Sequence, residues 1–241
     1  MTAGLAPARE VFLGAPQADS FMAFGRQVDV WVADIGTEPG ANRLAAGDLT
    51  ADSDAELAAS IAHPAGRRRF SAGRALARWA LAGRLRCRPH EVPIGIGPNG
   101  RPMLTLPEPG GSRGGRGAVD FNLSHSGDRV AVVVSQGLRV GIDVERTADR
   151  ENAASLARRI FSEAELALLA ETRPSRYLEQ WYRIWTTREA YVKANGTGLS
   201  AISSDLPVCG RSWLRHDVRI AGDYTATAVA CRRETGATAQ P

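Results

Sequence analysis

Val140-Gly141-Ile142-Asp143-Val144-Glu145 alternates in the period of a strand, which turns Ile142 and Val144 to a core and projects Asp143 and Glu145 together from the other face. Far upstream, Val28-Asp29-Val30-Trp31-Val32-Ala33-Asp34 has the same period. After each strand comes a short acidic helix containing Glu-Leu-Ala (56–58 and 165–167), then a longer helix. The longer helices align in turn: Phe70-Ser71-Ala72-Gly73-Arg74-Ala75-Leu76-Ala77-Arg78 lies over Trp185-Thr186-Thr187-Arg188-Glu189-Ala190-Tyr191-Val192-Lys193. The pattern predicts an α+β fold of two similar α/β halves in pseudo-twofold relation, with a ligand cleft between them. The expected boundaries are 1–137 for the N-terminal half, 138–231 for the C-terminal half and 232–241 for a disordered tail.

Working outward, residues 1–25 read as a loosely structured lead-in, and 52–62 and 67–86 as helices. The second helix has an apolar stripe of Phe70, Leu76, Ala77, Ala80 and Leu81. Pro98-Asn99-Gly100-Arg101-Pro102 is turn chemistry, and 108–117 a flexible loop. Strands are expected at Ala118–Leu123 and Val130–Ser135, with a Ser-His-Ser-Gly turn after the first. Ser162 and Glu165 form a capping box that opens a helix through Leu169, and a long helix over 175–194 ends at Gly196. Val218-Arg219-Ile220 and Tyr224 to Cys231 read as closing strands.

Composition bounds the function. A chain of 241 residues with 44 % hydrophobic and 23 % charged residues is an ordinary globular protein. No apolar run reaches the roughly 18–20 residues that span a bilayer, and the N-terminus does not read as a secretion signal, so a cytoplasmic protein without a membrane segment is expected. Cys87, Cys209 and Cys231 are few and far apart, which argues against a disulfide framework or a zinc site. The net charge of +4 favours anionic partners. Nucleic acid is not expected among them, because no zinc-finger spacing, basic zipper or ribonucleoprotein signature is present.

Four constellations carry chemistry. Asp143 and Glu145 are neighbours on one strand face; a hard cation such as Mg²⁺ would relieve their repulsion, and an exposed acidic face is the bland alternative. Glu189 and Lys193 share a helix face at i and i+4, where a surface ion pair is worth only about 0.3–0.5 kcal/mol. Yet Lys193 is the only lysine in the chain, and an ammonium can give up a proton where a guanidinium cannot. Asn122-Leu123-Ser124-His125-Ser126-Gly127 offers hydroxyls, an imidazole and backbone N–H groups to an anion; a structural histidine is the alternative. Arg67, Arg68, Arg69, Arg74 and Arg78, with Arg101 in the Gly-Arg-Pro turn, are guanidinium forks suited to phosphates or, equally, a solvated face.

Taken together, these stretches resemble the Sfp-type 4′-phosphopantetheinyl transferases. The resemblance rests on Gly-Arg-Pro at 100–102, NLSHS at 122–126, GIDVE at 141–145 and WTTREAYVKANGTGL at 185–199, in that order, within residues 67–200. It implies the fold of that family, with coenzyme A as co-substrate between the halves. It implies Asp143, Glu145 and Glu189 as carboxylates for Mg²⁺, and Ser124 and His125 as contacts to the phosphates. Arg101 and Pro102 would border the adenine end, and Lys193 would steady the diphosphate. Arg188 stands where many members have lysine, so only an electrostatic role carries over. Arg67, Arg69 and Arg74 are candidates for the 3′-phosphate. Glu189, Lys193 and Asp143 would be the catalytic set.

The implied reaction moves phosphopantetheine to a serine of an acyl or peptidyl carrier protein, as in polyketide or nonribosomal peptide biosynthesis, and releases adenosine 3′,5′-bisphosphate. A monomer is expected. One rival is a non-catalytic coenzyme A or nucleotide-binding module on the same fold; another is an acyltransferase using His125 as base.

Overall fold

A computed structural model describes residues 16–36, 49–105, 118–198, 201–202 and 212–232. The expected loop at 108–117, the tail beyond 232 and Cys209 lie outside the described residues. The chain is α+β, as the periodicities predict. Within the described residues it contains β1 (Gln17–Ala23), β2 (Arg26–Asp34), α1 (Asp52–Ala59), α2 (Pro64–Leu85), β3 (Ile94–Ile96), β4 (Pro102–Leu104), β5 (Val119–Ser126), β6 (Arg129–Gln136) and β7 (Leu138–Arg146). There follow α3 (Ala153–Ile160), α4 (Glu163–Glu171), α5 (Tyr177–Asn195), β8 (Trp213–Asp217) and β9 (Tyr224–Arg232).

Three antiparallel sheets result, in the orders β1-β2-β6-β5, β3-β4 and β7-β9-β8. In the first sheet β2 pairs with its last strand in chain order, β6, and β6 with the preceding β5. In the third, β7 pairs with the last strand, β9, and β9 with the preceding β8. One connection order is thus used twice.

Four segments differ from the sequence reading. Gln17–Ala23 is a strand, not a loose lead-in: its polar sequence lies on the sheet edge, where burial imposes no alternation, and Phe24-Gly25, both at positive φ, close the hairpin to β2. Ser124, His125 and Ser126 belong to β5 itself, so the turn is shifted to Gly127-Asp128. The penultimate strand is Trp213–Asp217, and Val218-Arg219-Ile220 lies in the connection after it. Ala153–Ile160 is a helix that its mixed Ala/Arg composition did not announce.

Two cores flank the first sheet. Leu76, Ala77, Ala80 and Leu81 of α2 pack on Val130, Val132 and Val134 of β6, as the apolar stripe predicts, while Phe70 at the helix start stays half-buried. Val28, Val30, Ala131 and Val133 on the opposite face meet Val140, Ile142 and Val144 of β7. The interior predicted for Ile142 and Val144 is therefore the interface between the first and third sheets. The capping box forms as read: Ser162 Oγ accepts from the Glu165 amide, and the Glu165 carboxylate accepts from the Ser162 amide.

Candidate active site

β5 and β7 belong to different sheets but run side by side, joined by a ladder of side chains. Asp120, Asn122, Ser124 and Ser126 of β5 accept from the backbone N–H groups of Val140, Ile142, Val144 and Arg146 at 3.0, 3.2, 3.3 and 3.1 Å. Both strands advance by two residues per rung, so they are parallel, and every β5 side chain on this face is polar because each must satisfy a β7 amide. The sequence signal pointed to Ser124 as a site residue and to Ser126 as a hydroxyl of the same motif, but not to Asp120. The period-two run Asp120, Asn122, Ser124, Ser126 was the available signal.

The ladder brings β5 to the acidic face of β7. Ser124 Oγ donates to Asp143 Oδ1 at 2.8 Å, and Ser126 Oγ donates to Glu145 Oε2 at 2.7 Å. Helix α5 closes the third side. Lys193 Nζ donates to Asp143 Oδ1 at 2.5 Å and to Ser124 Oγ at 3.0 Å, and stands 3.7 Å from Glu189 Oε2. Asp143, Glu145, Glu189, Lys193 and Ser124, drawn from β5, β7 and α5, are therefore brought together.

Electrostatics in the cluster follow from this crowding. Burial, then the Asp143 carboxylate, push Glu189 up to about 7, against the pull of Lys193. Burial and Asp143 also raise Glu145, with the Ser126 hydroxyl opposing. Desolvation works against the charge on Lys193, but Asp143 and Glu189 outweigh it and hold the ammonium above its ordinary value.

The cluster fits a divalent cation only in part. Among the described residues no three acidic, histidine or cysteine side chains stand in ligand arrangement; the cationic position beside Asp143 is taken by the Lys193 ammonium. Two features nevertheless suit a hard ion: the cluster has more carboxylates than local cations, and Asp143 Oδ2 is buried without a hydrogen-bond partner. Asp143 itself is 2 % exposed.

The expected phosphate contacts divide into those beside the cluster and those engaged elsewhere. His125 is exposed at the end of β5, within electrostatic reach of Arg69, Lys193 and Asp143. The single Ser124 proton already points to Asp143, and its oxygen accepts from Val144 and Lys193, so the hydroxyl acts on the cluster rather than outward. Arg74, 4 % exposed, is turned to Asp54 at 3.5 Å beside Arg78. Arg67 is exposed and donates to the Ile61 carbonyl at 3.1 Å. Arg101 binds both Asp120 oxygens at 3.1 and 3.0 Å and three carbonyls, while Pro102 is half-buried in β4.

Arg188 departs furthest from the expectation. It is 2 % exposed, forks onto the Glu165 carboxylate at 2.9 and 2.5 Å, and donates to the Ile202 carbonyl at 2.7 Å. Its plane lies over Phe161. A planar fork with this many fixed partners tethers α4 to α5. The local sequence Thr-Arg-Glu-Ala carried no sign of that, because Glu165 is 23 residues away.

Residues 139–236 match the model of the 4′-phosphopantetheinyl transferase superfamily. The chain is 34 % identical over 139 residues to the 4′-phosphopantetheinyl transferase HetI of a Nostoc species, covering 58 % of this chain and 56 % of that protein. It is 43 % identical over 90 residues to the 4′-phosphopantetheinyl transferase AcpT of Salmonella typhi, covering 36 % of this chain and 47 % of the relative. A 4′-phosphopantetheinyl transferase of Bacillus subtilis is 30 % identical over 129 residues, 53 % of this chain and 52 % of its own. The chain thus spans about half the length of the curated relatives it matches. The resemblance drawn from the sequence motifs is borne out.

Proposed function

We propose, from a chain with the 4′-phosphopantetheinyl transferase superfamily signature over 139–236, that it transfers phosphopantetheine from coenzyme A to a carrier-protein serine. The observation that carries this is the meeting of Asp143, Glu189 and Lys193 at Ser124, on a polar seam between the halves. The carrier serine Oγ bonds to the β-phosphorus of coenzyme A, the bond from that phosphorus to the bridging oxygen breaks, and adenosine 3′,5′-bisphosphate leaves. Glu189, or a water it holds, takes the serine proton. Lys193 remains an ammonium and stabilises charge on the departing diphosphate. His125 and Arg69, beside the cluster, are the side chains that meet the phosphates, and Ser124 holds Asp143 and Lys193 in place.

Asp143, Glu145 and Glu189 would hold Mg²⁺, which when bound would supply neutralising charge for the diphosphate. The buried Asp143 Oδ2, which has no hydrogen-bond partner, supports a ligand atom there. The repeated strand order supports a pseudo-twofold reading with the halves divided between Gln136 and Leu138. Cys87, a free thiol, supports a reducing, cytoplasmic setting. The net charge of +4 suits an acidic carrier domain, bound by a monomer of this chain.

The test is mass spectrometry of an apo carrier protein incubated with this chain, coenzyme A and Mg²⁺. The reading predicts a carrier heavier by one phosphopantetheine, with adenosine 3′,5′-bisphosphate in solution. Binding of coenzyme A with no bisphosphate formed would instead identify a non-catalytic module.

A further inference from the structure

The last turn of α5 carries Lys193, and its carbonyl oxygens have no partner within the helix. Gly196 ends the helix at φ 71°, and its amide bonds back to the Val192 carbonyl. The next orphan carbonyls are not left to solvent. Arg101 Nη1 donates to the Ala194 carbonyl at 3.0 Å, and Asn99 Nδ2 donates to the Gly196 carbonyl at 2.9 Å. Both donors come from the Pro98–Pro102 turn, nearly a hundred residues upstream in the other half.

Arg101 is anchored as it does this. Its Nη2 reaches both oxygens of Asp120 and the carbonyls of Phe121 and Val140, each 3.3 Å away for the last two. Asp120 is also the first rung of the side-chain ladder, accepting from the Val140 amide. One guanidinium therefore joins β5, β7 and the end of α5, and its charge lies at the negative end of the helix dipole. Asn99 is itself held at φ 56°, a left-handed geometry that asparagine tolerates, and this turns its amide toward the helix end.

We infer that Asn99 and Arg101 are positioning residues: they cap α5 from the opposite half and fix the turn that aims Lys193 at Asp143 and Ser124, rather than binding the substrate with their side chains. The inference rests on the transferase reading for its kinetic consequence and on the hydrogen bonds alone for its structural one.

Two measurements on Asn99→Gly, Arg101→Lys and Arg101→Ala test it. Asn99→Gly keeps the left-handed backbone and removes only the side-chain donor, so it reads the cap even if Arg101→Ala fails to fold. Amide hydrogen exchange in the ligand-free protein is expected to rise about tenfold for the last turn of α5 in Asn99→Gly and more in Arg101→Ala, with the β2 and β6 amides unchanged. In the transfer assay kcat is expected to fall about tenfold for Asn99→Gly while KM for coenzyme A stays within about twofold, and Arg101→Lys to recover part of the Arg101→Ala loss. Unaltered exchange at the end of α5, or a raised KM with kcat intact, would overturn the inference. A wild-type chain that transfers nothing would remove the proposed function, while exchange would still decide the cap.

Discussion

Gly141 and Ala190 meet backbone to backbone: a Cβ on Gly141 would lie 1.9 Å from the Ala190 carbonyl oxygen and 2.8 Å from the Ala194 amide nitrogen. This contact sets the depth at which α5 lies on β7, and so the distance from Lys193 to Asp143. The glycine of GIDVE is thus required by close approach of a helix, not by its own backbone angles. Gly141→Ala should destabilise the protein by more than the roughly 1–3 kcal/mol of ordinary overpacking, since the clash is with backbone. Thermal unfolding should show the loss, and a folded Gly141→Ala protein with unchanged transfer rate would refute the stated role of this contact.

Lys193 is paired with Asp143 and Glu189 in the acidic cluster, and the proposed function makes it the group that stabilises charge on the departing diphosphate. Lys193→Ala should lower the transfer rate by about 10²–10³-fold, the range seen when one preorganised donor to a developing charge is removed. Retained secondary structure by circular dichroism, with rate measured by carrier mass, checks this.

Ser124 and His125 are adjacent but should separate kinetically. Ser124→Ala removes the hydroxyl shared by Asp143, Val144 and Lys193, so its main effect should be on kcat, with a stability cost of about 1–3 kcal/mol for the orphaned groups. His125→Ala, at an exposed position, should chiefly raise KM for coenzyme A. Steady-state kinetics on both variants would expose the assignment as wrong if the pattern were reversed.

Glu189 gives the metal-free protein a pH signature. Its carboxyl is raised from the ordinary 4.5 to about 7 in the folded state by burial and Asp143. Between these values the folded chain holds a proton that the unfolded chain releases, so this group's contribution to stability declines as pH rises from about 4.5 to about 7 and levels off above. Denaturant unfolding of the metal-free protein across that window should show the decline, and Glu189→Gln should flatten it.

Arg188→Ala should behave as a structural lesion. It strands the Glu165 carboxylate and the Ile202 carbonyl at a site where the arginine is buried, a loss of about 3–5 kcal/mol. The expected result is a large fall in unfolding midpoint, while any folded fraction keeps its KM for coenzyme A. A substrate contact would instead raise KM at unchanged stability.

The strand and helix periods by themselves determined the α+β class, β2, α2, β6, β7, α5 and the capping box of α4, because each of these buries one face and the burial imposes its period on the sequence. They also determined which residues to suspect: Asp143 and Glu145 by i and i+2, Glu189 and Lys193 by i and i+4. Edge strand β1, helix α3 and the true position of β8 left weaker marks, since exposed or mixed faces tolerate many residues. Only the tertiary structure decided which arginines face the cluster. Arg74, Arg101 and Arg188 look alike in sequence, and each is claimed by a distant partner, Asp54, Asp120 and Glu165. A guanidinium reaches several ångströms from its backbone in many directions, so its local sequence sets the charge and the fold alone sets where that charge is used.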